Sequence, residues 1–109
     1  HKIFIHGITF KEGTDDVRTS PGFQLVMELI RNKIDFIWYD NDVVDTLKKQ
    51  GKHSTAFMQF PSELMEKMID DPYIFLKDKD YKVIATKSIE FNKNLKELYE
   101  SKSLEYFGT

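Results

Sequence analysis

One hundred and nine residues with a formal charge of −2 and no cysteine make one domain, without disulfides, thiolate metal sites or a cysteine nucleophile. Acids and cations are interspersed, so no basic face able to neutralise many phosphates is expected, which argues against DNA or RNA; a small phosphorylated ligand needs only one or two local cations. Apolar and aromatic residues are spread along the length, no run approaches a membrane span and no signal peptide is visible, so a folded cytoplasmic domain is expected.

The chain opens on His1 and enters a strand almost at once, as a piece of a longer protein would. Residues 2–8 are nearly all apolar, which fits a strand buried on both faces in a parallel sheet. Ser20 is placed to cap a helix and Pro21 to start it, and Phe23, Val26, Met27 and Ile30 repeat at helical spacing. Lys33 suits the negative end of that helix. A second strand is predicted over 34–39, closed by Asp40-Asn41-Asp42, with Asp42 capping a short helix that carries Val43, Val44 and Leu47 and that Gly51 ends.

Residues 55–58 read as a third short strand. Pro61 and Ser62 then open a helix with Leu64, Met65, Met68 and Ile69 inside, broken at Asp70-Asp71-Pro72. Residues 73–76 are a strand by composition or an apolar connection. A firmer strand covers 81–86. Phe91, Leu95, Leu98 and Tyr99 line one face of a following helix, and 104–107 reads as a last strand. The alternation predicts a Rossmann-like α/β fold, a three-layer sandwich on a mainly parallel sheet.

The loop 10–21, between the first strand and its helix, is dense in charge: Lys11, Asp15, Asp16 and Arg18. In α/β sheets a polar loop at that place is where nucleotides bind. Lys11, just past the strand, is suited to act as a point charge on a phosphate. Arg18 either forks onto a phosphate or amide carbonyl, or ties the loop to Asp15 or Asp16.

Thr14, Asp15 and Asp16 suggest a metal site or a phospho-acceptor pair, but the further acid a receiver domain needs is missing at Met58-Gln59-Phe60. Turn-forming hydrogen bonds to backbone N–H groups fit these acids better. Gly7 stands alone where G-x-G-x-x-G would announce independent NAD binding. Asp40 stands where dinucleotide folds hold a ribose, though without that fingerprint a role at the strand–helix turn is favoured. His1, His6 and His53 have no metal-ligand spacing, and no serine lies in a G-x-S-x-G elbow.

Gly7-Ile8-Thr9-Phe10-Lys11, then Thr14-Asp15-Asp16-Val17-Arg18 and Ser20-Pro21, resembles the C-terminal domain of nucleotide-sugar dehydrogenases. This family comprises the UDP-glucose, UDP-N-acetylmannosamine and GDP-mannose dehydrogenases. Its pattern there is G-L-x-F-K-x-x-T-D-D-x-R-x-S-P. The likeness continues faintly through Trp38-Tyr39-Asp40, residues 81–86 and Glu90-Phe91.

The resemblance implies that residues 1–109 are the nucleotide-sugar-binding domain of a larger enzyme. An N-terminal domain would bind NAD, a central region would carry the catalytic cysteine and make a homo-oligomer, and the sugar C6 alcohol would be oxidised to a carboxylate in two NAD-dependent steps. By position, Phe10 and Lys11 would contact the nucleotide-sugar, and Arg18 would reach NAD across the cleft. No catalytic residue is implied within the chain. A free-standing nucleotide-binding or interaction module is the alternative. Two departures from the pattern stand out: Glu105-Tyr106-Phe107-Gly108-Thr109 lacks the terminal Asp-x-Arg, and Asn41 replaces a common proline.

Overall fold

The structure is a computed structural model that describes residues 2–8, 21–50, 60–77, 80–89 and 92–107. Four strands, β1 (Lys2–His6), β2 (Phe36–Tyr39), β3 (Tyr81–Ala85) and β4 (Glu105–Tyr106), form one sheet in the order β2-β1-β3-β4. Every pairing is parallel, with Ile5 opposite Trp38 on one side and Ile84 on the other. Among the described residues the helices are α1 (Pro21–Arg31), α2 (Asn41–Gln50), α3 (Ser62–Glu66), α4 (Pro72–Leu76) and α5 (Lys93–Glu100).

Strand alternation splits the apolar residues into two cores, one on each face of the sheet. Ile5, Phe36 and Trp38 pack with Phe23, Val26 and Leu29 of α1 and Leu64 of α3. Phe4, Tyr81 and Val83 pack on the opposite face with Leu76 of α4 and Leu95 and Tyr99 of α5. This is the expected α/β three-layer sandwich, and Ile3-Phe4-Ile5 in the middle of β1 are apolar in succession because helices cover both sides of the strand. Trp38 is fully buried, and its indole N–H donates to the Leu64 carbonyl over 2.7 Å, which meets the polar need of the largest buried side chain.

Several predicted boundaries move. Lys33 adopts the left-handed conformation, φ 58°, and closes α1: its N–H donates to the Ile30 carbonyl and that of Ile34 to the Leu29 carbonyl. The second strand therefore starts at Phe36 rather than at 34. Asp40, not Asp42, caps α2, because its Oδ1 accepts the Asp42 N–H over 2.9 Å while its carbonyl accepts from Val44.

Helix α3 ends at Glu66, before Met68 and Ile69. Trp38 N–H donates to the Lys67 carbonyl and Ile69 N–H to the Trp38 carbonyl, so residues 67–69 run parallel along the outer edge of β2. Residues 73–76 belong to a helix, not a strand. Asp71 accepts from the N–H groups of Tyr73 and Ile74, and Pro72 takes the first helical position. The predicted strand at 55–58, the Ser20 cap and Gly51 lie outside the described residues.

Candidate functional site

From β1 the chain steps to β2 on one side and then to β3 on the other, so the strand order reverses at β1. In open parallel sheets, ligands bind beyond the carboxyl ends of the strands at such a point. Here that place is built from Gly7-Ile8 after β1, Asp40-Asn41-Asp42 after β2 and Thr86-Lys87 after β3. Gly7 has φ 92°, a conformation glycine alone adopts freely, and it turns the chain out of the sheet. Its N–H donates to the Tyr39 carbonyl over 2.9 Å. Thr86 reaches back with its hydroxyl onto the Gly7 carbonyl and with its N–H onto the His6 carbonyl.

Helix α1 begins against this junction. A Cβ on Gly22 would lie 2.8 Å from the Ile8 Cα and 2.6 Å from the Thr86 hydroxyl, so only glycine lets α1 approach so closely. The helix that follows the charged loop is thus seated directly on the ends of β1 and β3.

Asp40 is the node of the site. Its side chain is fully buried, and its Oδ2 accepts the Ile8 N–H over 2.8 Å. Oδ1 accepts the Asp42 N–H and the Lys87 ammonium, the latter at 2.7 Å. Lys87, itself mostly buried, also reaches the half-exposed Asp42 carboxylate at 2.7 Å. One carboxylate therefore joins the exits of three strands. Its partners are those of a structural anchor, in line with the strand–helix turn role favoured over a ribose-binding one.

Beneath the junction, His6 is wholly buried between Tyr39 and Tyr99, with ring centroids 6.0 and 5.1 Å away. Its Nδ1 shares a 2.9 Å hydrogen bond with the Tyr99 hydroxyl. Burial lowers the His6 pKa to about 4, despite the opposing pull of Asp40, so the ring is neutral near pH 7. Burial also raises the pKa of Tyr99, which stays protonated. The sequence reading of His6 as a strand residue holds, and its ring is locked to α5.

Phe10, Lys11 and Arg18 lie outside the described residues, as do Thr14, Asp15 and Asp16. Among the described residues no group of three or more acids or histidines is placed to hold a metal, and no helix is long and apolar enough to cross a membrane. NAD can be weighed at Gly7, where a dinucleotide fold leaves room for the pyrophosphate. A Cβ on Gly7 would meet Lys87 Cγ at 2.7 Å and Cδ at 3.1 Å. The space that glycine leaves is filled by this chain's own lysine, so the described residues do not fit NAD at that point. Sequence reasoning missed Lys87. Its signal was a lysine just past the end of a buried strand, as Lys11 is just past the predicted strand 2–8.

Residues 4–106 match the model of the UDP-glucose/GDP-mannose dehydrogenase family, UDP binding domain. A UDP-glucose 6-dehydrogenase of Rickettsia conorii is 31% identical over 99 residues, which cover 90% of this chain. The chain spans 21% of that relative's length. No solved structure gives a significant match.

Proposed function

Because the chain belongs to the UDP-glucose/GDP-mannose dehydrogenase family, matched in its UDP binding domain, we propose that it holds the nucleotide of a UDP- or GDP-sugar beyond the carboxyl ends of β1 and β3. The observation that carries this is the convergence of Gly7, Asp40 and Thr86-Lys87 where the strand order reverses, with the charged loop leaving from β1. On this reading Phe10 and Lys11 contact the nucleotide-sugar, Lys11 as a point charge on phosphate. Arg18 faces across a cleft toward NAD held by another part of a longer protein.

That protein is, on the same reading, a cytoplasmic homo-oligomeric nucleotide-sugar 6-dehydrogenase. Its partners for this domain are an NAD-binding region and a cysteine-bearing region, and it oxidises a C6 alcohol to a carboxylate. These 109 residues contain no cysteine, so alone they supply no thiolate nucleophile. The alternative reading is a nucleotide-binding module without catalysis.

Calorimetric titration with UDP, UDP-glucose, GDP-mannose and inorganic phosphate tests the binding. Uptake of a nucleotide-sugar but not of phosphate is expected; indifference to all nucleotides would end the proposal. NADH formation by the native protein from the sugar it binds separates enzyme from module.

A further inference from the structure

Resting on the nucleotide-binding reading above, we propose that Lys87 is a positioning residue for the nucleotide, acting through Asp40 on the start of the loop that carries Phe10 and Lys11.

The Asp40 carboxylate has no exposure, and a buried charge is tolerated only when it is paired and hydrogen-bonded. Lys87 is its cationic partner at 2.7 Å. With Oδ1 turned to Lys87 and the Asp42 N–H, Oδ2 is aimed at the Ile8 N–H, 2.8 Å away. Ile8 is the last described residue before the loop and stands two positions ahead of Phe10.

The lysine stem adds a second constraint, since its Cγ and Cδ occupy the space beside the left-handed Gly7. Ammonium and stem together fix the direction in which the chain leaves β1. Lys87 lies 2.7 Å from a carboxylate oxygen of each of Asp40 and Asp42 and is largely covered. The ladder bonds deeper in the sheet, such as those joining Ile5 to Trp38 and Ile84, do not pass through it.

The action is therefore centred on the exit of β1, at Gly7 and Ile8. Misplacing a binding group by an ångström is enough to weaken its contact sharply.

The test uses the native protein with Lys87→Met, Lys87→Arg and Asp42→Asn. UDP affinity is read by calorimetry and hydrogen exchange of the Ile8 amide by NMR, against Ile5 and Val83 as internal standards. Lys87→Met is expected to weaken UDP about tenfold, the usual effect of losing one charge-assisted contact, and to quicken Ile8 exchange selectively. Lys87→Arg, which keeps a cation over both acids, should recover most of each. Should Lys87→Met fold too poorly to assay, Asp42→Asn loosens Lys87 from its outer side and should move both readouts the same way, by about twofold.

Quickened Ile8 exchange with unchanged UDP affinity would overturn the proposal. So would lost affinity with Ile8 fully protected, because Lys87 would then touch the ligand itself. Wild-type protein that takes up no UDP would defeat the underlying nucleotide reading, a result distinct from either of these.

Discussion

His6 makes the domain sensitive to acid in a way that can be worked out. The groups facing it are Tyr99 from α5, Tyr39 and Asp40 from the end of β2, Asp42 from α2 and Lys87 from beyond β3. The folded protein holds its pKa near 4, while the unfolded chain has the ordinary value of 6.5. Between those values the unfolded state takes up a proton that the folded state refuses, so stability falls as pH falls. The contribution is complete above pH 6.5 and lost progressively down to pH 4. At about 1.4 kcal/mol per pH unit this amounts to roughly 3 kcal/mol, a large part of a total stability of about 5–15 kcal/mol.

Urea titrations between pH 4 and 7.5 measure it, with His6→Phe/Tyr99→Phe as the reference. That pair removes both partners of the buried hydrogen bond together and leaves neither unsatisfied. Wild type is expected to lose about 3 kcal/mol more than the double variant on going from pH 7 to pH 4. Stability curves that run parallel over this range would refute the argument, and acid sensitivity would then belong to the carboxylates.

Three further outcomes are expected. Lys33→Gly should raise the urea midpoint by the equivalent of about 0.5–1 kcal/mol with unchanged slope, because Lys33 sits at φ 58°, where a side chain is disfavoured; a lower midpoint counts against the left-handed helix end. Asp71→Ala removes the acceptor for two N–H groups at the start of α4 and should cost about 1 kcal/mol in thermal or urea unfolding, and no change would mean that the cap contributes nothing. Lys11→Ala should weaken nucleotide-sugar binding about tenfold in calorimetry without moving the melting temperature, and retained affinity would make Lys11 an ordinary surface residue.

Much of this architecture could be read from residue spacing. α1 and α5 are legible from an apolar pattern of helical period and β1 and β3 from short apolar runs, and the parallel sheet follows from their alternation. Short elements were not. Pro72-Tyr73-Ile74-Phe75-Leu76 is apolar at five successive positions and has no period, so only the Asp71-Pro72 pair ahead of it indicated a helix. Met68 and Ile69 continue the spacing of α3, yet their backbone is taken by Trp38, a competitor no local pattern reveals.

The frame of the candidate site was obscure in the sequence, while the loop expected to carry its contacts lies outside the described residues. Phe10, Lys11 and Arg18 stand in a recognisable string, whereas Lys87 and Asp40 are 47 positions apart and meet only because β1 lies between their strands. The NAD fingerprint was seen to be missing. That Lys87 fills the vacated space at Gly7 required coordinates.

The all-parallel order also bears on how the chain reaches this state. Ile3 must find Phe36 on one side and Lys82 on the other, with no hairpin to bring either near. Contacts so distant along the chain close slowly, because the loop entropy is lost before the pairing rewards it. As the chain emerges from the ribosome, β1 can gain its first neighbour once β2 and α1 are out. Its other edge, carrying some of the most apolar residues in the protein, stays open until Tyr81–Ala85 has been made. For that interval this edge of the strand is an unpaired template, and the chain depends on chaperones or on speed to keep other strands from joining it.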